Sequence, residues 1–89
     1  MMTLHILNKS PGHPRFGRCL DAVGESDQLL LIENAVLALS VDDIALPGRV
    51  IALASDLEAR GVSGHREVEL IHYDDMVALT AAADRIISW

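Results

Sequence analysis

Leu29-Leu30-Leu31-Ile32 is an unbroken run of large aliphatic residues. It is too short for a stable helix and shows no polar alternation, as expected of a central parallel strand covered by helices on both faces. Asn34 follows as a helix cap for Ala35 to Ser40, a segment whose apolar residues run almost all the way round the helix. Such a helix must be buried on more than one side. Asp42-Asp43 and Pro47-Gly48 then supply turn chemistry for a loop from Val41 to Gly48.

Strand and helix signals continue to alternate away from this centre. Leu4-His5-Ile6-Leu7 reads as a first strand, closed by the turn formers Asn8-Lys9-Ser10-Pro11-Gly12. Pro14 suits the first turn of a helix, and Phe16, Cys19, Leu20 and Val23 recur along one apolar face until Gly24 ends it. Val50 to Leu53 forms a third strand, after which Ser55 and Glu58 have the spacing of a capping box and Gly61 closes the short helix. Glu67 to Ile71 alternates polar with apolar residues, which suits a strand nearer an edge. Asp74 or Asp75 caps a last helix presenting Met76, Leu79, Thr80 and Ala83, and Arg85 to Trp89 returns as a strand. Repeated alternation of this kind predicts a small three-layer α/β/α fold, doubly wound and flavodoxin-like, with a mostly parallel sheet of about five strands. Residues 1–89 are expected to form one domain.

Composition narrows the function classes. Just over half of the 89 residues are apolar, but only one Phe, one Tyr and one Trp are present, so the core must be aliphatic. So much aliphatic sequence on a small body suggests burial against other subunits. A formal charge of −6, with Lys9, Arg15 and Arg18 as the only basic cluster, argues against direct nucleic-acid binding. No apolar run approaches the ~20 residues needed to span a bilayer, and residues 1–20 do not read as a basic stretch followed by an apolar signal segment, so a soluble protein is expected. One cysteine leaves no intramolecular disulfide and fits a reducing, cytoplasmic setting.

Candidate chemistry is sparse. Ligands of open α/β sheets bind beyond the carboxyl ends of the strands, where Asn8 to Gly12, Glu33-Asn34, Ser55-Asp56 and Tyr73-Asp74 fall. Turn and capping duties account for the same residues, and neither G-x-G-x-x-G nor G-x-x-x-x-G-K-S/T is present. Cys19 is the single soft nucleophile. Arg15 and Arg18 could stabilise its thiolate, while its place on the stripe with Phe16, Leu20 and Val23 favours a small buried hydrophobe. His5, His13, His65 and His72 are scattered without a metal-binding spacing, and no cofactor or metal is expected. His5 and His72 lie in strand-like runs and read as hydrogen-bonded histidines rather than general bases.

Taken in order, several stretches resemble the TusB/DsrH family. Leu4 to Pro11 is similar to its L-H-x-x-N-K-S-P opening, Cys19-Leu20 to its C-L pair, and Leu29 to Asn34 to its L-L-L-I-E-D stretch. Asp56 to Gly61 resembles D-L-x-A-R-G, Tyr73-Asp74 the Y-D before the last helix, and Asp84 to Trp89 the D-x-x-x-S-W ending. Asn34-Ala35 stands where the family has D-G, and the Val41 to Gly48 loop is shorter than the family's. The resemblance implies a DsrE/DsrF/DsrH-like sulfur-relay subunit, acting in tRNA wobble 2-thiouridine synthesis or intracellular sulfur oxidation. It implies a heterohexamer with DsrE/TusD-like and DsrF/TusC-like subunits, served indirectly by TusA-like and TusE/DsrC-like sulfur carriers. In that family the main relay cysteine belongs to the TusD/DsrE subunit, in the loop after the second helix, and Val41 to Gly48 has no cysteine. This chain is therefore expected to be a noncatalytic assembly partner of a sulfurtransferase complex, with Cys19 as its candidate persulfide site. The alternative from another class is a small-ligand binding or regulatory module using the carboxyl-edge loops.

Overall fold

In a computed structural model, which describes residues 1–63 and 66–89, the strands are Thr3–Leu7 (β1), Gln28–Leu31 (β2), Arg49–Leu53 (β3), Glu69–Ile71 (β4) and Arg85–Ser88 (β5). They form one parallel sheet in the order β4-β3-β2-β1-β5. The first three connections each step to the adjacent strand in one direction. Right-handed crossovers therefore lay their helices on a single face. These are α1 (Pro14–Ala22), a 3-10 helix (Glu33–Ser40) and α2 (Ala54–Ala59). The connection from β4 runs back to the far side of β1 and places α3 (Tyr73–Ala82) on the other face. The expected three-layer, doubly wound α/β architecture is present, with strand order 4-3-2-1-5 rather than the 2-1-3-4-5 of flavodoxin itself.

Pleating divides the core in two. Leu7, Leu29, Leu31 and Ala52 pack with Phe16, Cys19, Val36, Leu39 and Leu57 beneath the three-helix layer. Leu4, Leu30, Ile51, Leu53 and Ile71 face α3, against Met76, Leu79 and Ala83. The run Leu29 to Leu31 thus feeds both faces and is wholly buried, as its uninterrupted apolar sequence predicts. Helix α3 has no buried residue of its own, and Tyr73 and Val77 on it are 67% and 54% exposed.

Local starts and stops differ from the expectations in instructive ways. Pro14 opens α1 as predicted, and the His13 side chain accepts the Arg15 N–H at 3.0 Å as its cap. Ser55 does not cap α2, because β3 runs directly into that helix with Leu53 at the cap position, which leaves Ser55 inside the first turn. Asn34 likewise caps nothing, since the 3-10 helix begins at Glu33. In α3 the cap position is His72, and Asp75 reaches back to accept its N–H at 3.1 Å. The apolar 3-10 helix buries Ala35, Val36, Ala38 and Leu39 against its own sheet. That accounts for the all-round hydrophobicity without a partner. Of the exposed large apolar side chains, Tyr73, Val77 and Ile86 lie on the α3 face, while Leu70 pairs with Ala52 and faces the other way.

Candidate functional site at the carboxyl edge

The turns after β1, β2, β3 and β4 all gather at the carboxyl edge, as the sequence places them. Two of these turns are bonded together. The Asp56 carboxylate accepts the Glu33 N–H at 2.7 Å, and the Arg60 guanidinium donates to Asn34 Oδ1 at 3.0 Å while lying 3.5 Å from Asp56. Glu33 holds φ of +51°, a left-handed conformation that costs a non-glycine residue roughly 1–2 kcal/mol. Asp56 and Arg60 fix the turn in which that strain is stored.

A second group joins β1 to β5. Lys9 donates to Asn8 Oδ1 and, at 3.2 Å, to the Trp89 carbonyl. The Trp89 N–H bonds to the Ile6 carbonyl at 2.9 Å, and its indole N–H reaches His5 Nδ1 at 3.2 Å. On the other side of the ring, His5 Nε2 lies 3.0 Å from Asp27 Oδ2, which also accepts the Gly24 N–H at 2.9 Å. The Gly24 N–H and the His5 ring hold the Asp27 carboxyl below the ordinary aspartate range. His5 is only 1% exposed and fully partnered, a hydrogen-bonded core histidine as its strand setting predicts. His72 stands at an exposed helix start, His13 is an exposed cap, and His65 lies outside the described residues.

Cys19 lies in the larger core, with its side chain inaccessible to solvent. Burial pushes its thiol up to about 11. Arg15 and Arg18 project into solvent from α1. Ser55 and Tyr73-Asp74 are exposed at the carboxyl edge. Among the described residues no cluster of His, Cys, Asp and Glu could hold a metal ion, and no helix is long and apolar enough to cross a membrane. A groove of about 470 Å³ opens on the α3 face, away from Cys19, between Arg49, Ile51, Glu69, Ile71, Asp75 and Leu79.

Asp27 did not stand out in the sequence, and Arg60 and Trp89 entered it only within the family-like stretches Asp56 to Gly61 and Asp84 to Trp89. Their partners lie 22, 26 and 84 positions away, so no local spacing announces these bonds.

Comparison with known proteins places the chain in a family and shows its fold elsewhere. The family model described as DsrH like protein matches residues 9–86. Protein TusB of Enterobacter sp. (strain 638) is 35% identical over 95 residues, covering 97% of this chain and 99% of that protein. Protein TusB of Escherichia coli (strain K12) is also 35% identical, and that of Cronobacter sakazakii 32%, each with the same two coverages. The solution NMR structure of Protein Tm0979 from Thermotoga maritima is similar with a TM-score of 0.69 at 27% identity, covering 90% of this chain and 92% of that one.

Proposed function

Because the chain belongs to the DsrH family, we propose that it is an assembly subunit of a cytoplasmic sulfur-relay complex rather than the subunit that carries the sulfur. The complex passes persulfide sulfur between proteins, toward tRNA wobble 2-thiouridine or within sulfur oxidation. Its other members are DsrE/TusD-like and DsrF/TusC-like subunits in a heterohexamer, which exchanges sulfur with TusA-like and TusE/DsrC-like carriers. The observation that carries the assembly role is the placement of the only thiol. A persulfide carrier needs an accessible thiolate, whereas Cys19 is buried under α1 with its ionisation suppressed. The loop from Val41 to Gly48, where the family's relay subunit has its cysteine, has none. Sulfur reaches Cys19 on this reading only if α1 lifts off the sheet.

Exposed Tyr73, Val77 and Ile86 support a chain that works in company, since large apolar groups on one face of a small protein mark contact surfaces. Co-expression with DsrE- and DsrF-type proteins, followed by native mass spectrometry, is expected to yield a mixed complex. A stable monomer that never associates with them would overturn the proposal. Incubation of the native chain with a persulfide donor should add no sulfur by intact mass. An adduct on the wild type that disappears in Cys19→Ser would instead make this chain a carrier.

A further inference from the structure

The His5 ring joins two parts of the molecule through bonds of opposite sense. An indole nitrogen only donates, so the Trp89 contact at 3.2 Å requires His5 Nδ1 to be an unprotonated acceptor. The proton of the neutral ring must then sit on Nε2 and point at the Asp27 carboxylate, 3.0 Å away. Both nitrogens are satisfied only in this one neutral tautomer. At 1% exposure, no water competes for either position.

A proton added from solvent has one place to go, Nδ1. That nitrogen would then present N–H to N–H against the indole, which cannot reverse its role. The nearly parallel rings, with centroids 6.2 Å apart and planes 20° from each other, offer no alternative acceptor in the plane of the imidazole. We propose that His5 is a proton-sensitive latch that holds Trp89 while neutral and releases its indole when protonated.

The consequence reaches the carboxyl edge. Trp89 follows β5 and its carbonyl is a partner of Lys9, in the turn after β1. Release of the indole leaves the Trp89 N–H to Ile6 and the Lys9 contact to hold the chain beyond the β1–β5 ladder, so the end of β5 and the Asn8–Gly12 turn loosen together. The charged groups around the latch are Asp27 before β2, bonded to Nε2, Arg85 on β5, which acts on the Asp27 carboxylate, and Lys9 after β1, bonded to the Trp89 carbonyl. Alternation along β1 puts His5 on the same sheet face as Leu7, where α1 contributes Phe16, Cys19 and Val23 to the apolar core.

Trp89 is the only tryptophan, so its signals report the latch directly. On the full wild-type chain, the indole N–H and the His5 ring protons are followed by NMR from about pH 8 to about pH 5, where histidine changes charge. The indole resonance should start downfield and protected from exchange, then lose both properties with the same midpoint as the His5 ring. Tryptophan emission should fall over the same interval and become independent of pH in His5→Gln. An indole resonance that stays protected after His5 has titrated would overturn the proposal, whether or not the variant folds. So would an emission change that persists in a folded His5→Gln chain.

Discussion

Asp56 and Glu33 meet at 2.7 Å, the side chain of one accepting the backbone N–H of the other from across the ends of β3 and β2. The contact holds open a left-handed turn that glutamate does not prefer. Removing the acceptor in Asp56→Ala is expected to cost about 1.5–3 kcal/mol, the range for hydrogen bonds to charged groups. Glu33→Gly relieves strain but gains freedom in the unfolded chain, for a net stabilisation of roughly 0.5–1 kcal/mol. Urea unfolding of both variants, with unchanged denaturant slopes, measures the two effects. A Glu33→Gly chain less stable than wild type would show that the turn stores no strain.

The raised pKa of Cys19 makes stability fall on the alkaline side. Its folded value of about 11 exceeds the ordinary 9.0, so the native state holds this proton more tightly than the unfolded chain. The resulting stability is complete below pH 9.0 and is lost as pH climbs toward 11, by an amount on the order of 2 kcal/mol. Cys19→Ala should flatten that decline relative to wild type in thermal melts across the interval. A matching experiment with iodoacetamide should show no alkylation of the folded protein near neutrality and rapid reaction in denaturant.

Asp27 acts on the acid side with the opposite sign. Its folded carboxyl titrates below the ordinary 3.8, so its contribution is present above that value and disappears as pH falls through the lower folded one. The first cause is the Gly24 N–H and the second is His5, so Asp27→Asn should remove this component of acid unfolding. A profile of midpoint temperature against pH that has the same acid limb in both proteins would refute the assignment.

Two glycines separate conformation from crowding. Gly48 and Gly61 both adopt positive φ, at 69° and 62°. A β-carbon at Gly48 would lie 2.7 Å from the Asp27 carbonyl and 3.0 Å from Val23, whereas at Gly61 nothing comes within 4 Å. Gly61→Ala should therefore cost only the conformational penalty of roughly 1–2 kcal/mol. Gly48→Ala should cost clearly more, because it also displaces the carbonyl that accepts the Arg49 N–H at the start of β3. Chemical denaturation ranks them, and equal losses would mean that the loop yields freely.

The sequence made the sheet legible because each strand is short, aliphatic and separated by turn formers, with Leu29 to Leu31 marking the centre unmistakably. It also located the carboxyl-edge turns. Capping was harder to read, because a capping box needs a free residue between strand and helix and β3 leaves none before Ala54. Ala35 with Ala38 and Val36 with Leu39 are pairs three apart, the repeat of a 3-10 helix. Read with an α-helical period, the same residues spread around the axis and suggested an external partner. Bonds such as His5 to Trp89 connect residues brought together only by strand order, and no periodicity encodes them.

The β1–β5 pairing also governs when the fold can be completed. β1 pairs with β2 soon after both exist, but its other edge waits for residue 85 and everything between. Until then an apolar strand in the middle of the eventual sheet has open N–H and C=O groups along one side, a template for misplaced pairing. Contacts of such sequence separation are slow to form. The nascent chain is thus exposed to mispairing along this edge until β5 arrives, and closure of β5 on β1 is the step that ends that risk.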